Sequence, residues 1–233
     1  MFKQHTKLEK FGEKVFSVLV ENFSQTFFVG GTVRDLLLKK RTVDIDITTV
    51  ARPEQTLKLL QNAGIICDSK YKKFGVVIAK QKKLSVEITT LRKDLPSQNR
   101  YPKVHFISSP RIDSQRRDFT VNSLYFSQKT KRILDFHNGL NDLENKTIRF
   151  VGNPKTRIQE DPLRIIRALR FALTLNFTIE KKSLSAIKKD FNLTKKLTQT
   201  KIKKELNKIS DKKIKLLVKN ILDNEKILDK YFK

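Results

Sequence analysis

The chain has 233 residues, enough for one domain or two small ones, and two are expected. Its formal net charge of +26 indicates a polyanionic partner, nucleic acid first, even though an AT-biased genome would account for some of the lysine. One cysteine excludes an internal disulfide and a Cys-based zinc site, and the three histidines lack metal-ligand spacing. No apolar run is long enough to cross a bilayer and the start shows no targeting pattern, so we expect a soluble, cytoplasmic protein with no membrane partner.

The first half of the chain predicts alternating helices and strands. Apolar residues at helical spacing indicate a helix over 6–22, and TFFVGG indicates a short strand, a tight turn and a second helix. The alternating stretch TVDIDITT predicts a strand, RPEQTLKLLQNAGI a helix, and residues 73–92 a β-hairpin. The segment 92–110 is polar and is expected to form a loop. Helical periodicity from Asp113 to Phe126 predicts a helix, followed by a strand at RILDF.

From Thr156 onward the pattern is helical and dense in Lys and Leu/Ile. We therefore expect an α+β domain over 1–145 and an all-helical domain over 146–233. The arginines are concentrated around this boundary: nine of the 14 lie between residues 111 and 170, and none lies between 181 and 233. Arginine is retained where a planar fork of donors is useful, whereas lysine supplies charge alone.

The strand TVDIDITT carries two acids, Asp44 and Asp46, on one face. They could be a solvated face, with Val43, Ile45 and Ile47 in the core. However, like charges on one face repel each other, and a divalent cation would remove that repulsion. Glu87, on a later strand, is either a third member of this set or an exposed strand acid. Three carboxylates at one sheet edge would suit two Mg²⁺ ions, which prefer oxygen ligands.

Two further patterns point to nucleotide chemistry. The turn Gly30-Gly31 opens a helix that carries Arg34, an arrangement that suits a phosphate group but also occurs in ordinary tight turns. In EDPLRIIRALRFAL, Asp161 is a natural N-cap and Pro162 a natural first helical residue. Arg164 and Arg167 would then be partly buried in an apolar helix, either as surface ion pairs or as donors that read a base edge.

Taken together, these residues resemble a known family. The segments VGGTVRDLLLKKRTVDIDITT, RRDFTVNSLYF, LDFHNGLNDL and IRFVGNPKTRIQEDPLRIIRALRFAL are similar, in order and spacing, to motifs of class II tRNA nucleotidyltransferases and bacterial poly(A) polymerases. The resemblance covers roughly residues 25–210. It implies a DNA polymerase beta-like nucleotidyltransferase head domain, with a mixed β-sheet and flanking helices, followed by a helical neck. Family members continue into body and tail domains, which are expected to be largely missing here.

The resemblance also assigns roles to residues. Asp44 and Asp46 match the metal-binding pair, with Glu87 as the third catalytic acid, and the turn with Arg34 matches the triphosphate contact. The residues matching the motif that senses the ribose 2′-hydroxyl are Arg116, Arg117, Asp118 and Asn122. The residues matching the base-selecting motif are Asp161, Arg164 and Arg167. Asp135 falls in the hinge motif, and Glu205 in a weaker neck motif.

A flexible loop that relatives use to switch from C to A matches the segment containing Arg92, Asp94 and Arg100, although its central residues depart from the family pattern. The implied activity is template-independent addition of CCA to tRNA from CTP and ATP with two Mg²⁺ ions. Alternatives are a poly(A) polymerase, an A-only or CC-only enzyme, and an inactive basic RNA-binding protein. A partner chain or an oligomer could supply contacts to the tRNA elbow.

Overall fold

The computed structural model describes residues 6–95 and 103–232. The chain forms two compact units: unit 1 comprises Met1–Arg117 with Asn122–Phe136, and unit 2 comprises Asp118–Val121 with His137–Lys233. The long continuous segment of unit 2 thus begins at His137, eight or nine residues before the expected domain boundary at 145/146. The reason is that Gly139–Glu144 forms a helix that packs on a strand of unit 2, whereas the change in composition comes later along the sequence.

Unit 1 contains a seven-stranded mixed sheet, which confirms the expected α+β class. Its strands are β1 (Thr26–Val29), β2 (Ile45–Thr49), β3 (Ile66–Asp68), β4 (Val76–Gln81), β5 (Leu84–Thr90), β8 (Tyr125–Ser127) and β9 (Arg132–Leu134). Their spatial order is β3-β4-β5-β2-β1-β8-β9, and β2 and β5 run parallel while the other neighbours are antiparallel. The register of the parallel pair places Asp46 beside Glu87.

The helices of unit 1 are α1 (Lys7–Asn22), α2 (Gly31–Leu37), α3 (Pro53–Asn62) and α4 (Pro110–Gln115). Helix α1 begins with a capping box, in which Thr6 and Glu9 each satisfy a backbone N–H of the first turn. Its apolar side packs on the sheet, with the Phe16 ring stacked 4.3 Å from that of Phe28. At Gly12 a Cβ would lie 2.5 Å from Cδ1 of Ile45, so the absence of a side chain lets α1 approach β2.

Two sequence predictions for unit 1 were wrong. The segment 92–110 is not simply a loop: β6 (Arg92–Leu95) and β7 (Lys103–Phe106) form an antiparallel pair, and α4 begins at Pro110. The helix predicted from Asp113 to Phe126 ends at Gln115 and gives way to a 3₁₀ turn at Thr120–Asn122 and then to β8. The apolar residues of this segment are divided between the two units, so their helical spacing does not describe a single buried face.

Unit 2 is mainly helical. Its helices are α5 (Gly139–Glu144), α6 (Pro154–Glu160), α7 (Leu163–Leu175), α8 (Lys181–Lys189), α9 (Gln199–Leu206), α10 (Lys212–Asp223) and α11 (Leu228–Tyr231), with 3₁₀ turns at Phe191–Lys196 and Glu225–Ile227. The helical run expected from Thr156 is interrupted by β11 (Thr178–Ile179), which pairs with β10 (Thr147–Ile148). Helix α7 contributes Ile166 and Leu169 to the buried core of this unit, together with residues of other elements such as Leu206 and Val218. None of the helices over 6–95 and 103–232 has the length and apolar character needed to span a membrane.

Candidate active site

The Gly30-Gly31 turn joins β1 to α2 and lies against two charged side chains. Gly30 has φ +66°, a left-handed conformation that glycine adopts without strain. A Cβ at Gly30 would lie 3.3 Å from Nη1 of Arg117 and 3.6 Å from Oδ2 of Asp46. The turn therefore requires glycine for both its backbone conformation and its close neighbours. It brings the predicted phosphate-binding turn next to one of the predicted metal ligands.

Asp46 is held in position by the same turn. Its backbone N–H donates a hydrogen bond of 2.8 Å to Oγ1 of Thr32, in the first turn of α2. Burial, followed by the negative charge of Glu87, raises the pKa of Asp46 to about 7; Asp44 raises it further, and Arg117 and Arg34 only partly offset this. The carboxylate thus lies where protein cations do not neutralise it.

The other two predicted acids lie beside Asp46 along the sheet. Glu87 is the register partner of Asp46 on the parallel strand β5 and is exposed. Asp44 precedes β2, which begins at Ile45 rather than at Thr42, and is also exposed. Ile45 and Ile47 are buried as expected, but Val43 is 71% exposed, which corrects its predicted core position. The sequence TVD is outside the strand because only residues from Ile45 pair with β5.

The three acids suit a hard divalent cation by their chemistry, although their side chains are not assembled into a metal-binding group. Within residues 6–95 and 103–232, no set of three or more His, Cys, Asp and Glu side chains is placed to hold a metal ion. The ligands offered are all carboxylate oxygens, which Mg²⁺ prefers. Burial is the largest cause of the raised pKa of Asp46, and the negative charges of Glu87 and Asp44 raise it further, so a bound cation would favour the ionised carboxylate. The donor types therefore fit Mg²⁺, whereas the arrangement of the described side chains does not form a metal site.

Arg34 connects the predicted triphosphate contact to the predicted ribose contact. Its side chain is only 9% exposed; Nε donates to Oδ1 of Asp35 at 2.8 Å and Nη1 donates to Oδ1 of Asn122 at 2.5 Å. Asn122 is the last residue of the 3₁₀ turn in RRDFTVNS and is itself buried. Two residues that lie 88 positions apart are thus brought together in unit 1, as their assignment to one nucleotide site requires.

Arg116 and Arg117 lie around a buried acid that sequence reasoning missed. Asp113 in α4 accepts hydrogen bonds from Nε of Arg116 at 2.9 Å, from Nη2 of Arg117 at 3.3 Å and from the hydroxyl of Tyr125 at 2.6 Å. The backbone N–H of Arg92 adds a fourth bond. The spacing D-x-x-R-R, which places these residues on one side of a helical turn, was a usable signal.

These partners also set the ionisation of Asp113. Burial raises its pKa, but the positive charges of Arg116 and Arg117, with the Tyr125 hydrogen bond, outweigh burial and lower it to about 2. Arg117 also donates to the Tyr125 hydroxyl at 2.9 Å. Asp113 and Tyr125 therefore fix the guanidinium that lies beside Gly30.

In unit 2, Asp118 and Arg167 form part of a buried chain of charges. Nε of Arg167 donates to Oδ2 of Asp118 at 2.8 Å, and Nη1 lies 3.6 Å from Oε1 of Glu205. Glu205, which is 2% exposed in α9, also accepts from Nε of Arg170 at 2.7 Å and from Lys208 at 3.0 Å. The carboxylate of Asp118 is the largest cause of a raised pKa for Arg167. Asp118 and Arg167 are thus both held by protein partners. Arg170, which was not among the predicted site residues, belongs to the same chain of charges.

Asp161 and Arg164 lie near each other at the start of α7 but do not pair. Arg164 donates from Nη1 to Oε2 of Glu160 at 2.8 Å and to the carbonyl of Arg157 at 2.7 Å. Asp161 accepts the N–H of Leu163 at 3.1 Å and ends α6, while Pro162 is the cap of α7. This corrects the predicted N-cap by one residue: Asp161 still satisfies an N–H at the helix start, but the helix begins at Leu163.

The predicted flexible loop is only partly described. Arg92 and Asp94 lie in strand β6 rather than in a loop, and Nε of Arg92 donates to Oδ1 of Asp94 at 3.1 Å. Arg92 also donates to the carbonyl of Phe74. The bond to Phe74 connects β6 to the segment before β4. Arg100 lies outside the described residues.

Comparisons with known proteins show which family the chain resembles. Residues 26–149, more than half of the chain, match the family model of the poly A polymerase head domain. A CCA-adding enzyme of Enterococcus faecalis is 40% identical over 190 residues, covering 79% of this chain and 45% of that enzyme. The human mitochondrial CCA tRNA nucleotidyltransferase 1 is 43% identical over 143 residues, covering 61% and 33%. The chain spans less than half the length of the curated relatives that it matches.

Solved structures give the same result for the fold. The Bacillus stearothermophilus CCA-adding enzyme in complex with CTP superposes with a TM-score of 0.76 at 29% identity, covering 91% of this chain and 49% of that one. A tRNA nucleotidyltransferase complexed with a primer tRNA and an incoming ATP analog gives a TM-score of 0.71 at 28% identity, covering 88% and 58%. Together with the family match, these likenesses show that the chain belongs to the family of class II CCA-adding enzymes and bacterial poly(A) polymerases.

Proposed function

We propose that this chain is the catalytic part of a template-independent RNA nucleotidyltransferase that adds CCA to the 3′ end of tRNA from CTP and ATP. The relatives named above are CCA-adding enzymes, and two of the solved neighbours hold CTP or a primer tRNA with an ATP analog. Unit 1 would be the catalytic head and unit 2 the neck that selects the nucleotide and contacts RNA. We place the protein in the cytoplasm, acting alone or with a further subunit that adds contacts to the tRNA elbow.

The observation that carries this proposal is the acidic edge next to the glycine turn. Asp46 lies beside Glu87 across a parallel strand pair and within reach of the Gly30 turn, and burial together with the neighbouring acids raises its pKa to about 7. A surplus of negative charge next to a phosphate-binding turn is unfavourable for folding. It is useful where divalent cations must bring an anionic substrate to the protein.

The catalytic residues would be Asp44, Asp46 and Glu87, with Asp44 and Asp46 holding two Mg²⁺ ions. When bound, these ions would activate the tRNA 3′-hydroxyl and stabilise the pyrophosphate leaving group. Thr32 keeps the backbone of Asp46 fixed, and Ile45 and Ile47 anchor the strand in the core. The backbone of the strand is thus fixed, and the three carboxylates would have to converge by side-chain rotation to bind the ions.

The triphosphate would lie against the Gly30-Gly31 turn and Arg34. Because Arg34 already contacts Asn122, the same arginine can orient the side chain that meets the ribose. Arg117, fixed by Asp113 and Tyr125, supplies a positive charge close to the turn. Arg116 shares that acid and supports Arg117. We assign ribose sensing to this group, together with Asp118.

Base selection would fall to Asp161, Arg164 and Arg167 at the start of α7. Asp161 offers an acceptor and Arg164 a donor fork, which together can meet the Watson–Crick edge of cytosine or adenine. Arg167 is held between Asp118 and Glu205, so we assign it to positioning α7 more than to contacting the base. The hairpin with Arg92 and Asp94 would support the loop that switches between the two nucleotides.

The deciding experiment supplies labelled CTP or ATP with tRNA transcripts that lack CCA, end in CC, or end in complete CCA. We expect CTP incorporation on the first, ATP on the second and none on the third, all dependent on Mg²⁺. Incorporation of ATP alone would favour an A-only enzyme, and CTP alone a CC-only enzyme. If no transcript is extended under any condition, the proposal is wrong, and a binding measurement with the same transcripts then tests whether the chain is an inactive RNA-binding protein.

A poly(A) polymerase is the second candidate, and one observation favours it: the matching family model is that of a poly A polymerase head domain. Such an enzyme would extend a complete CCA end, or an unrelated RNA, by many adenylates. The same assay therefore separates the two candidates by the length of the product and by its dependence on CTP.

A further inference from the structure

The side chain of Thr32 lies between the glycine turn and the strand that carries the acids. Thr32 is the second residue of α2, directly after Gly30-Gly31, and it is fully buried. Its Oγ1 accepts the backbone N–H of Asp46 at 2.8 Å and donates to the carbonyl of Asp44 at 3.4 Å. A hydroxyl has one donor and two acceptor positions, so both bonds can form at once. One buried hydroxyl thus bridges the backbones of two proposed catalytic acids.

This bridge lies where strand β1 no longer accompanies β2. Among the described residues, the pairing of β1 with β2 ends at Phe28 and Ile47, because the chain then turns into α2. Backbone groups of residues two apart in a strand point to the same side, so the N–H of Asp46 and the carbonyl of Asp44 both face the side of β1. Thr32 therefore supplies from its side chain the hydrogen bonds that a longer β1 would supply from its backbone.

The bridge connects the two parts of the proposed nucleotide site. On the side of the turn, a Cβ at Gly30 would lie 3.6 Å from Oδ2 of Asp46. On the side of the strand, Asp44 is exposed and precedes the first residue of β2, so the sheet alone does not fix it. A shift of the backbone over 44–46 would move both carboxylates relative to the turn. A misplacement of about 1 Å can lower a rate about a hundredfold.

We propose that Thr32 is a positioning residue for nucleotidyl transfer, whose hydroxyl sets the backbones of Asp44 and Asp46 in register with the Gly30-Gly31 turn. The role requires the hydroxyl and not merely the volume of the side chain. It acts on the transition state more than on nucleotide binding, because the glycine turn and Arg34 remain when the hydroxyl is removed. This inference rests on the proposed function for the reaction, whereas the effect on the strand can be measured without substrate or metal.

The first arm of the test removes the hydroxyl and keeps the shape of the side chain. In Thr32→Val, we expect kcat for CMP incorporation to fall about a hundredfold, with KM for CTP within about twofold of wild type. Thr32→Ser keeps the hydroxyl and should recover kcat to within about threefold of wild type. The matched control is Thr56→Val in α3, because Thr56 is also buried but its Oγ1 has no hydrogen-bond partner within the described residues. The control should change neither kcat nor KM.

The second arm follows the strand itself by amide hydrogen exchange, measured by NMR without nucleotide or metal. The N–H of Asp46 should exchange faster by about tenfold or more in Thr32→Val, because its buried acceptor is lost. It should exchange at the wild-type rate in Thr32→Ser and in Thr56→Val. The N–H of Leu91, which donates to the carbonyl of Thr49 at the other end of β2, is the internal reference. Its exchange should stay within about twofold in every variant.

Three results would overturn the inference while the proposed function stands. If Thr32→Val keeps the wild-type kcat, the hydroxyl serves the fold alone, even where the unfolding temperature falls. If kcat falls but the N–H of Asp46 exchanges as in wild type, the hydroxyl does not act through the strand. If Thr32→Ser is as slow as Thr32→Val, the hydroxyl is not the group that matters. A wild-type protein that incorporates no nucleotide overturns the proposed function and this inference together.

Thermal unfolding shows whether Thr32→Val folds. If it does not, Thr32→Cys takes its place, because a thiol fills a similar volume and forms weaker hydrogen bonds than a hydroxyl. We expect kcat of Thr32→Cys to be about tenfold below wild type, with KM for CTP unchanged. A wild-type kcat in Thr32→Cys would overturn the inference.

Discussion

The acids at the sheet edge of unit 1 and the acids beside α7 in unit 2 are both close to arginines, yet their ionisation differs. At the sheet edge, burial, Glu87 and Asp44 outweigh Arg117 and Arg34, so the pKa of Asp46 rises to about 7. Glu205 in unit 2 is also buried, but Arg170, Arg167 and Lys208 outweigh burial and lower its pKa.

This contrast separates acids that serve chemistry from acids that serve the fold. An acid whose charge is matched by fixed arginines stabilises its surroundings and has little capacity left for a ligand. An acid left in excess destabilises the fold and keeps its oxygens available for a cation. Four predictions test this comparison, each by changing one acid or one arginine.

The largest effect is expected for Asp46→Asn. The rate of CMP incorporation should fall about a thousandfold, because the carboxylate proposed to hold Mg²⁺ is lost. The thermal unfolding temperature should stay equal or rise, because a negative charge beside Glu87 and Asp44 has been removed. Glu54→Gln, at an exposed position in α3, is the control and should change neither quantity. A large fall in unfolding temperature would mean that Asp46 stabilises the fold as Glu205 does, and the proposed difference between the two acids would be wrong.

Glu205→Ala should have the opposite signature. It leaves Arg170, which is 11% exposed, without its main partner, and should lower the free energy of unfolding by about 3 kcal/mol. Urea unfolding measures this change, with the exposed Glu225→Ala as a control expected to stay within about 0.5 kcal/mol. If Glu205→Ala unfolds like the control, the charge chain around α7 contributes nothing to stability.

Asp113→Asn tests whether the role of an acid depends on its pairing with arginines or on the unit in which the acid lies. Asp113 lies in unit 1 but is paired, and its pKa is lowered from 3.8 to about 2, which corresponds to about 2 kcal/mol of stability at pH 7. Because the folded pKa is the lower one, this stability is present above about pH 4. It is lost as the pH falls towards 2.

The measurement is urea unfolding of wild type and Asp113→Asn between pH 7 and pH 3. The difference between them should be constant down to about pH 4 and shrink below it. Asp68→Asn, which loses an exposed pair with Lys80, should change little at any of these pH values. A difference that grows on acidification would mean that the pKa of Asp113 is raised rather than lowered.

The smallest effect is expected for Arg164→Lys. The charge is kept but the planar donor fork is lost, so the preference for CTP and ATP over UTP and GTP should fall about tenfold. The unfolding temperature should stay near that of wild type, since Arg164 pairs with the exposed Glu160. Arg132→Lys, at an exposed position in β9, is the matched control. An unchanged preference would make Arg164 a structural residue like Arg167.

Much of unit 1 was predictable from sequence, because its elements obey local rules. The capped helix α1, the glycine turn, β2 with Asp46 and the β4–β5 hairpin all lie within two or three residues of the predicted bounds. The sequence also indicated that Asp46 and Glu87 could lie side by side, because neighbouring strands of one sheet bring residues of the same face together. The roles of these residues remain predictions until activity is measured.

The parts that sequence reasoning missed depend on tertiary contacts. The segment from Asp113 to Phe126 has helical spacing, but Phe119 packs on Phe150 and Phe171 in unit 2, while Tyr125 is buried in unit 1. A pattern along the chain cannot indicate that neighbouring apolar residues belong to different cores. Asp113 was missed for a similar reason, since its four donors come from three separate stretches of sequence.

The tetrapeptide Asp118–Val121 belongs to unit 2 although both of its flanks belong to unit 1. It is secured there by a hydrogen bond of 2.7 Å from Thr120 to Asp142 and by the N–H of Val151 on the carbonyl of Asp118. Unit 2 is therefore not a contiguous segment, and no single cut in the chain releases it intact. A fragment starting at His137 would lack the partner of Arg167 and the Phe119 ring. The two units cannot be exchanged between relatives as modules, and recombination between family members should preserve residues 118–121 together with α7.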